Sequence, residues 1–231
     1  GLTIICDDTY DALAYDEPQL WLAPTRHALG AALLAAGQAG PAAHVYREDL
    51  RHYPGNGWSL GGLYAIAAAT AGQASSVSLI ASLPRFVAGA DWPPGMPEAT
   101  FVGFGHDLAR DWHGTDDRFL ALEARGDADE RALIQRLRRQ VYAHGEPNPV
   151  ALASGLELLH TADARADLRA VAAAGVPVRL IGGRRDRLVS PAALAATAAL
   201  HPAIHSHVIP GAAHAPFMTH VDEVAALLVA P

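Results

Sequence analysis

Apolar and polar positions along the chain fall into two rhythms. Short runs rich in β-branched residues at 2–6, 44–47, 76–82, 176–181 and 205–209 read as strands. Longer stretches in which apolar residues return every three or four positions read as helices. One runs over 26–34, capped by Thr25 and ended by Gly37 and Gly40-Pro41; others follow Gly61, open at Pro191 and close the chain at 221–229. Strands that alternate with helices predict an α/β fold with a mostly parallel central sheet flanked by helices. Between 85 and 165 the strand rhythm stops, and four helical patterns at 98–112, 115–123, 127–142 and 149–160 replace it, separated by glycine or proline. An all-helical cap over 85–165, inserted into a core of 1–84 and 166–231, is therefore expected.

The 231 residues suffice for one such domain with an inserted lid. A hydrophobic content of 51% excludes a disordered chain, and a net charge of −7 argues against nucleic acid as a partner, whose phosphates would be repelled. All seventeen basic residues are arginine. Cys6 is the single cysteine, which excludes an intrachain disulfide and fits a reducing compartment. No apolar run reaches membrane-spanning length, and the start has no basic stretch followed by an apolar core. Neither a membrane anchor nor a signal peptide is expected; the expected location is the cytoplasm and the expected state a monomer.

Candidate chemistry begins at Gly57-Trp58-Ser59-Leu60-Gly61, a serine inside G-x-S-x-G followed at once by a helical run. Glycines on both sides allow a sharp turn that exposes the Ser59 hydroxyl as a nucleophile. The Leu60 amide then sits at a helix N-terminus, where it can stabilise an oxyanion. A bare glycine-rich turn containing a serine is the alternative. Two further residues fit the chain order Ser, Asp, His: Asp186 just past the strand at 176–181, and His214 in the loop after the strand at 205–209. In a parallel sheet these loops gather at one edge. Asp222 and His220 are rival candidates, but Asp222 stands at a helix start and reads as a cap. His205 and His207 share a strand face without an evident third metal ligand, so no metal is expected.

Four segments together make a narrower pattern: Gly57 to Leu63, Arg118-Phe119-Leu120-Ala121-Leu122, Gly155-Leu156-Glu157-Leu158-Leu159, and Ala213-His214-Ala215-Pro216-Phe217. In that order they resemble the BioH family, α/β-hydrolases that demethylate pimeloyl-carrier-protein methyl ester in biotin synthesis. The resemblance covers about residues 57–230. It implies an α/β-hydrolase fold, a Ser59–His214–Asp186 triad, no cofactor, and an acyl-carrier protein bearing the ester as partner. It also implies substrate contact at Phe119, Leu120, Ala121, Leu122 and Glu123, with Trp58 beside the nucleophile as a further wall; ordinary core packing is the other reading of the cap residues. Arg118, Arg131, Arg138 and Arg139 lie in the cap helices, and an arginine-rich helix is usually a solvated face. Against an acidic carrier protein they become candidate contacts for its carboxylates and phosphate.

The resemblance fails over residues 1–56. Such hydrolases take a second oxyanion donor from a loop that this family writes His-Gly-Trp, and no His-Gly precedes Ser59 here. Asp7, Asp8 and Thr9, after a strand at 2–6, are the expected substitutes, with a backbone N–H near the Leu60 amide; otherwise residues 1–56 do not represent the natural N-terminal region. Pro54-Gly55-Asn56 also makes a poor final strand before the serine. Two other functions stay open: a broad esterase for short soluble esters, and a catalytically silent binding module of the same fold.

Overall fold

The computed structural model describes residues 58–72, 74–142 and 149–229, without the side chains of residues 58–60, 64, 140, 149–151, 154 and 229. The chain divides into two compact units, Gly1–Pro54 and Gly55–Pro231, and all described residues belong to the second. The expected strands at 2–6 and 44–47, the helix at 26–34 and the loop at Asp7 to Thr9 lie outside the described residues.

The second unit opens with α1 (Trp58–Thr70) and β1 (Val77–Ile80). Four helices follow, α2 (Glu98–Arg110), α3 (Trp112–Ala124), α4 (Glu130–Val141) and α5 (Pro149–Thr161), and then α6 (Arg165–Ala173), β2 (Val178–Gly183), α7 (Pro191–Ala198), β3 (Ile204–Ile209), α8 (Pro216–Thr219) and α9 (Val221–Val229). The described strands form a parallel sheet in the order β1-β2-β3, with Leu79 opposite Leu180 and Leu180 opposite Ser206. Parallel strands need crossovers, and helices supply them on the way from β1 to β2 and from β2 to β3.

The core sits around β2, where Leu180 and Ile181 have no exposed surface. Ile66 of α1, Leu79, Leu168 and Val171 of α6, and Leu194 of α7 pack into the same cluster as Leu180. α1 lies against β1 and α6, close enough that a Cβ at Gly62 would meet the Ser82 hydroxyl. A second cluster joins Leu120 and Ala124 of α3 to Leu133 and Leu137 of α4 and to Ala215 and Met218. The helical segment is thereby fastened by apolar packing to the loop that carries His214.

Three local readings are corrected. The helix expected over 98–112 ends at Arg110, because Asp111 leaves helical geometry (φ −148°, ψ 81°) and its carboxylate accepts from the Gly114 amide at 3.0 Å, capping α3 instead. Gly182 and Gly183, read as loop, complete β2. The absent side chain at Gly183 makes room for the carbonyls of Ala212 and Ala213, so the loop after β3 lies directly on the strand. Finally α6 stands where no element was expected, although Leu168, Val171 and Ala172 bury at helical spacing.

Candidate active site

Asp186 and His214 come from the loops after neighbouring strands and meet in the interior. His214 Nδ1 donates to Asp186 Oδ2 at 2.9 Å, with the side chains 6% and 0% exposed. The other carboxylate oxygen, Oδ1, accepts from the backbone amides of Leu188 (2.8 Å) and Val189 (2.9 Å). Asp186 is thus fixed by its own turn before it touches the histidine, and because a carboxylate only accepts, Nδ1 carries the proton and Nε2 is the acceptor of the neutral imidazole. Burial alone would push the His214 pKa down; the hydrogen bond to Asp186 and the charges of Asp186 and Glu123 outweigh it and hold the value above the usual histidine range.

The loops are braced from the helical segment. The His214 amide donates to the carbonyl of Glu123, in the last turn of α3, at 3.2 Å. Arg185 donates to the carbonyl of Gly126 at 2.6 Å, tying the aspartate loop to the turn between α3 and α4. Neither brace was read from the sequence. The Leu188 and Val189 amides carried a signal, since an Asp two or three residues before buried amides commonly forms such a turn.

Ser59 and Leu60 stand in the first turn of α1, directly after Trp58; the side chains of all three lie outside the described residues. Along α3, Phe119 is partly buried with its ring 5.3 Å from that of Phe104, Leu120 is 2% exposed inside the α3–α4 packing, Ala121 is exposed, and Leu122 and Glu123 are partly buried. Burial raises the Glu123 carboxyl to about 7, with Asp116 and Asp186 pushing the same way and His214 opposing. Arg118 is exposed and donates to the Thr115 hydroxyl at 2.8 Å, and Arg138 pairs with Asp117 at 2.8 Å. Arg131 and Arg139 are exposed. His220 instead shares a hydrogen bond with Thr219 at 2.9 Å, and Asp222 lies in the first turn of α9. Among the described residues no group of three or more His, Cys, Asp or Glu side chains is arranged to hold a metal.

The parallel sheet, the helices around it and the buried acid–histidine pair beyond successive strands define an α/β-hydrolase. Solved structures agree on the fold: a bromoperoxidase from Bacillus anthracis (TM-score 0.61, 21% identity, 84% of this chain and 72% of that one) and an enol-lactonase from Burkholderia xenovorans LB400 (0.59, 22%, 74% and 62%). No protein-family model matches the chain. Curated relatives are more specific. A pimeloyl-[acyl-carrier protein] methyl ester esterase of Xanthomonas campestris pv. campestris is 49% identical over 173 residues, covering 74% of this chain and 67% of the relative. One from Stenotrophomonas maltophilia is 47% identical over 173 residues, covering 74% and 66%. The chain belongs to this family of esterases and spans about two thirds of the relatives' length.

Proposed function

We propose that the protein is a serine carboxylesterase that hydrolyses the methyl ester of pimeloyl-acyl-carrier protein in biotin synthesis. The observation that carries this reading is the buried 2.9 Å bond between His214 and Asp186 in a member of that esterase family. Ser59 is the nucleophile. His214 Nε2 takes its proton as the hydroxyl attacks the ester carbonyl, and Asp186 keeps the imidazole in the tautomer that can accept it. The Leu60 amide at the start of α1 is one donor to the oxyanion. Collapse of the tetrahedral intermediate expels methanol, which leaves with the proton from His214. Water, deprotonated by the same histidine, then frees the acid.

Helices α2 to α5, within 85–165, act as the cap over a core of 1–84 and 166–231. Trp58, Phe119, Ala121, Leu122 and Glu123 line the acyl path, and Leu120 supports that wall from behind. Arg118, Arg131, Arg138 and Arg139 receive the acidic carrier protein. The reaction needs no cofactor, and the enzyme works as a cytoplasmic monomer; among the described residues no helix is long and apolar enough to cross a membrane. Ser59→Ala and His214→Ala, assayed on the carrier-linked methyl ester, should each lose about 10⁴-fold or more in kcat, because the members of such a unit fail together. Near wild-type turnover by Ser59→Ala would overturn the assignment. Equal kcat/KM for free and carrier-linked short esters would overturn the substrate.

A further inference from the structure

Glu123 is a carboxyl in an unexpected place. Its carbonyl holds the His214 amide at 3.2 Å, so the last turn of α3 rests against the histidine loop, and the next residue, Ala124, is completely buried beside Ala215. Three charged groups bear on its side chain. Asp116 lies two turns earlier on the same helix face, Asp186 comes from the loop after β2, and His214 from the loop after β3. Only His214 can become positive, and Glu123 in turn favours the charged form of that imidazole. The proposed mechanism uses Asp186 to orient His214 and gives Glu123, placed above on the acyl path, no part in the proton transfer.

We infer that Glu123 is a positioning residue for the acid–base step: its carboxylate stabilises the imidazolium that forms on His214 during turnover, and its own protonation withdraws that help. This rests on the serine–histidine reading above. As Ser59 attacks, the proton moves to Nε2 and the imidazole gains a full positive charge in a site that disfavours charge by burial. Asp186 compensates from the Nδ1 side, and an ionised Glu123 adds a second negative charge. Once Glu123 binds a proton, Asp186 acts alone. The two titrations are coupled, because each proton bound by one group lowers the affinity of the other for the next. Burial raises the Glu123 pKa to about 7, so the switch falls near neutrality.

The test compares wild type with Glu123→Gln, which keeps size and shape, on a p-nitrophenyl ester from pH 5.5 to 9. The expected ratio of kcat/KM, wild type over variant, is roughly threefold to tenfold above pH 8. It should fall towards one below about pH 6, where the carboxyl is already neutral. In protein carrying ¹⁵N-labelled histidine, the His214 imidazole should titrate at lower pH in the variant, a change that loss of packing alone would not produce. A ratio that stays constant with pH together with an unmoved imidazole titration overturns the inference. If Ser59→Ala keeps its turnover, the nucleophile assignment falls instead, and the imidazole titration still decides whether Glu123 and His214 are coupled.

Discussion

Both oxygens of Asp186 are occupied, one by two backbone amides and one by His214. Glu123 is the opposite case, a carboxyl placed where its charge is costly to the fold. Raised from its usual 4.5 to about 7 chiefly by burial, it favours the folded state while it is neutral. The folded chain holds this proton more tightly than the unfolded chain, so its contribution is complete below about pH 4.5 and disappears as pH rises through about 7. Glu123→Gln, which never ionises, should therefore gain stability over wild type between pH 5 and pH 8, by an amount of order 1–3 kcal/mol. Thermal or urea unfolding at the two pH values measures it, and an equal difference at both would refute the account. The same substitution is expected to slow catalysis at high pH, the usual opposition between a stable site and a working one.

At the scale of elements, β2 carries the most consequence, because its last residue decides where His214 stands. The carbonyls of Ala212 and Ala213 occupy the space that a Gly183 side chain would fill, and they precede His214 by two residues and one. Backbone atoms cannot swing aside as a long side chain can, so Gly183→Ala must displace the loop or the strand. We expect a chain that still folds, destabilised by about 1–3 kcal/mol. Its kcat should fall roughly 10²-fold, since a displacement of about 1 Å suffices for that. Circular dichroism and turnover measured together check this; wild-type activity would mean the loop tolerates the shift. Apolar rhythm made β1, β3, α9 and most helix bounds of the described segment legible; β1 alternates buried and half-buried positions, whereas β3 buries only its two ends. It was silent on Gly183, whose role depends on a carbonyl contributed from another strand's loop. It also carried the helix at 98–112 two residues too far, past Asp111, where a single capping carboxylate outweighs periodicity. The acid and the histidine were legible from chain order and loop position; the amides and carbonyls that aim them were not, since every residue has those groups and only the fold selects among them.

For the whole molecule, a net charge of −7 and the acidic carrier protein proposed as partner would make productive encounter depend on where the arginines are unpaired. The described arginines differ in this respect. Arg165 meets Asp163 and Asp91, each at 2.6 Å, and lies 5.3 Å over the Trp92 ring, so it fixes the approach to the helical segment. Arg138 is neutralised in part by Asp117. Arg131 and Arg139 are exposed on α4 and form no ion pair among the described residues, which leaves their charge available to a docking surface. Charge reversal, Arg131→Glu with Arg139→Glu, should raise KM for the carrier-linked ester roughly tenfold, as expected when charges that steer association are inverted. A small p-nitrophenyl ester, which meets only the catalytic centre, should be turned over at nearly the wild-type rate. Exposed charges are screened over about 8 Å at physiological ionic strength. The KM difference should therefore shrink as salt is raised, whereas equal losses on both substrates, or a salt-independent loss, would place the effect in folding and not in docking.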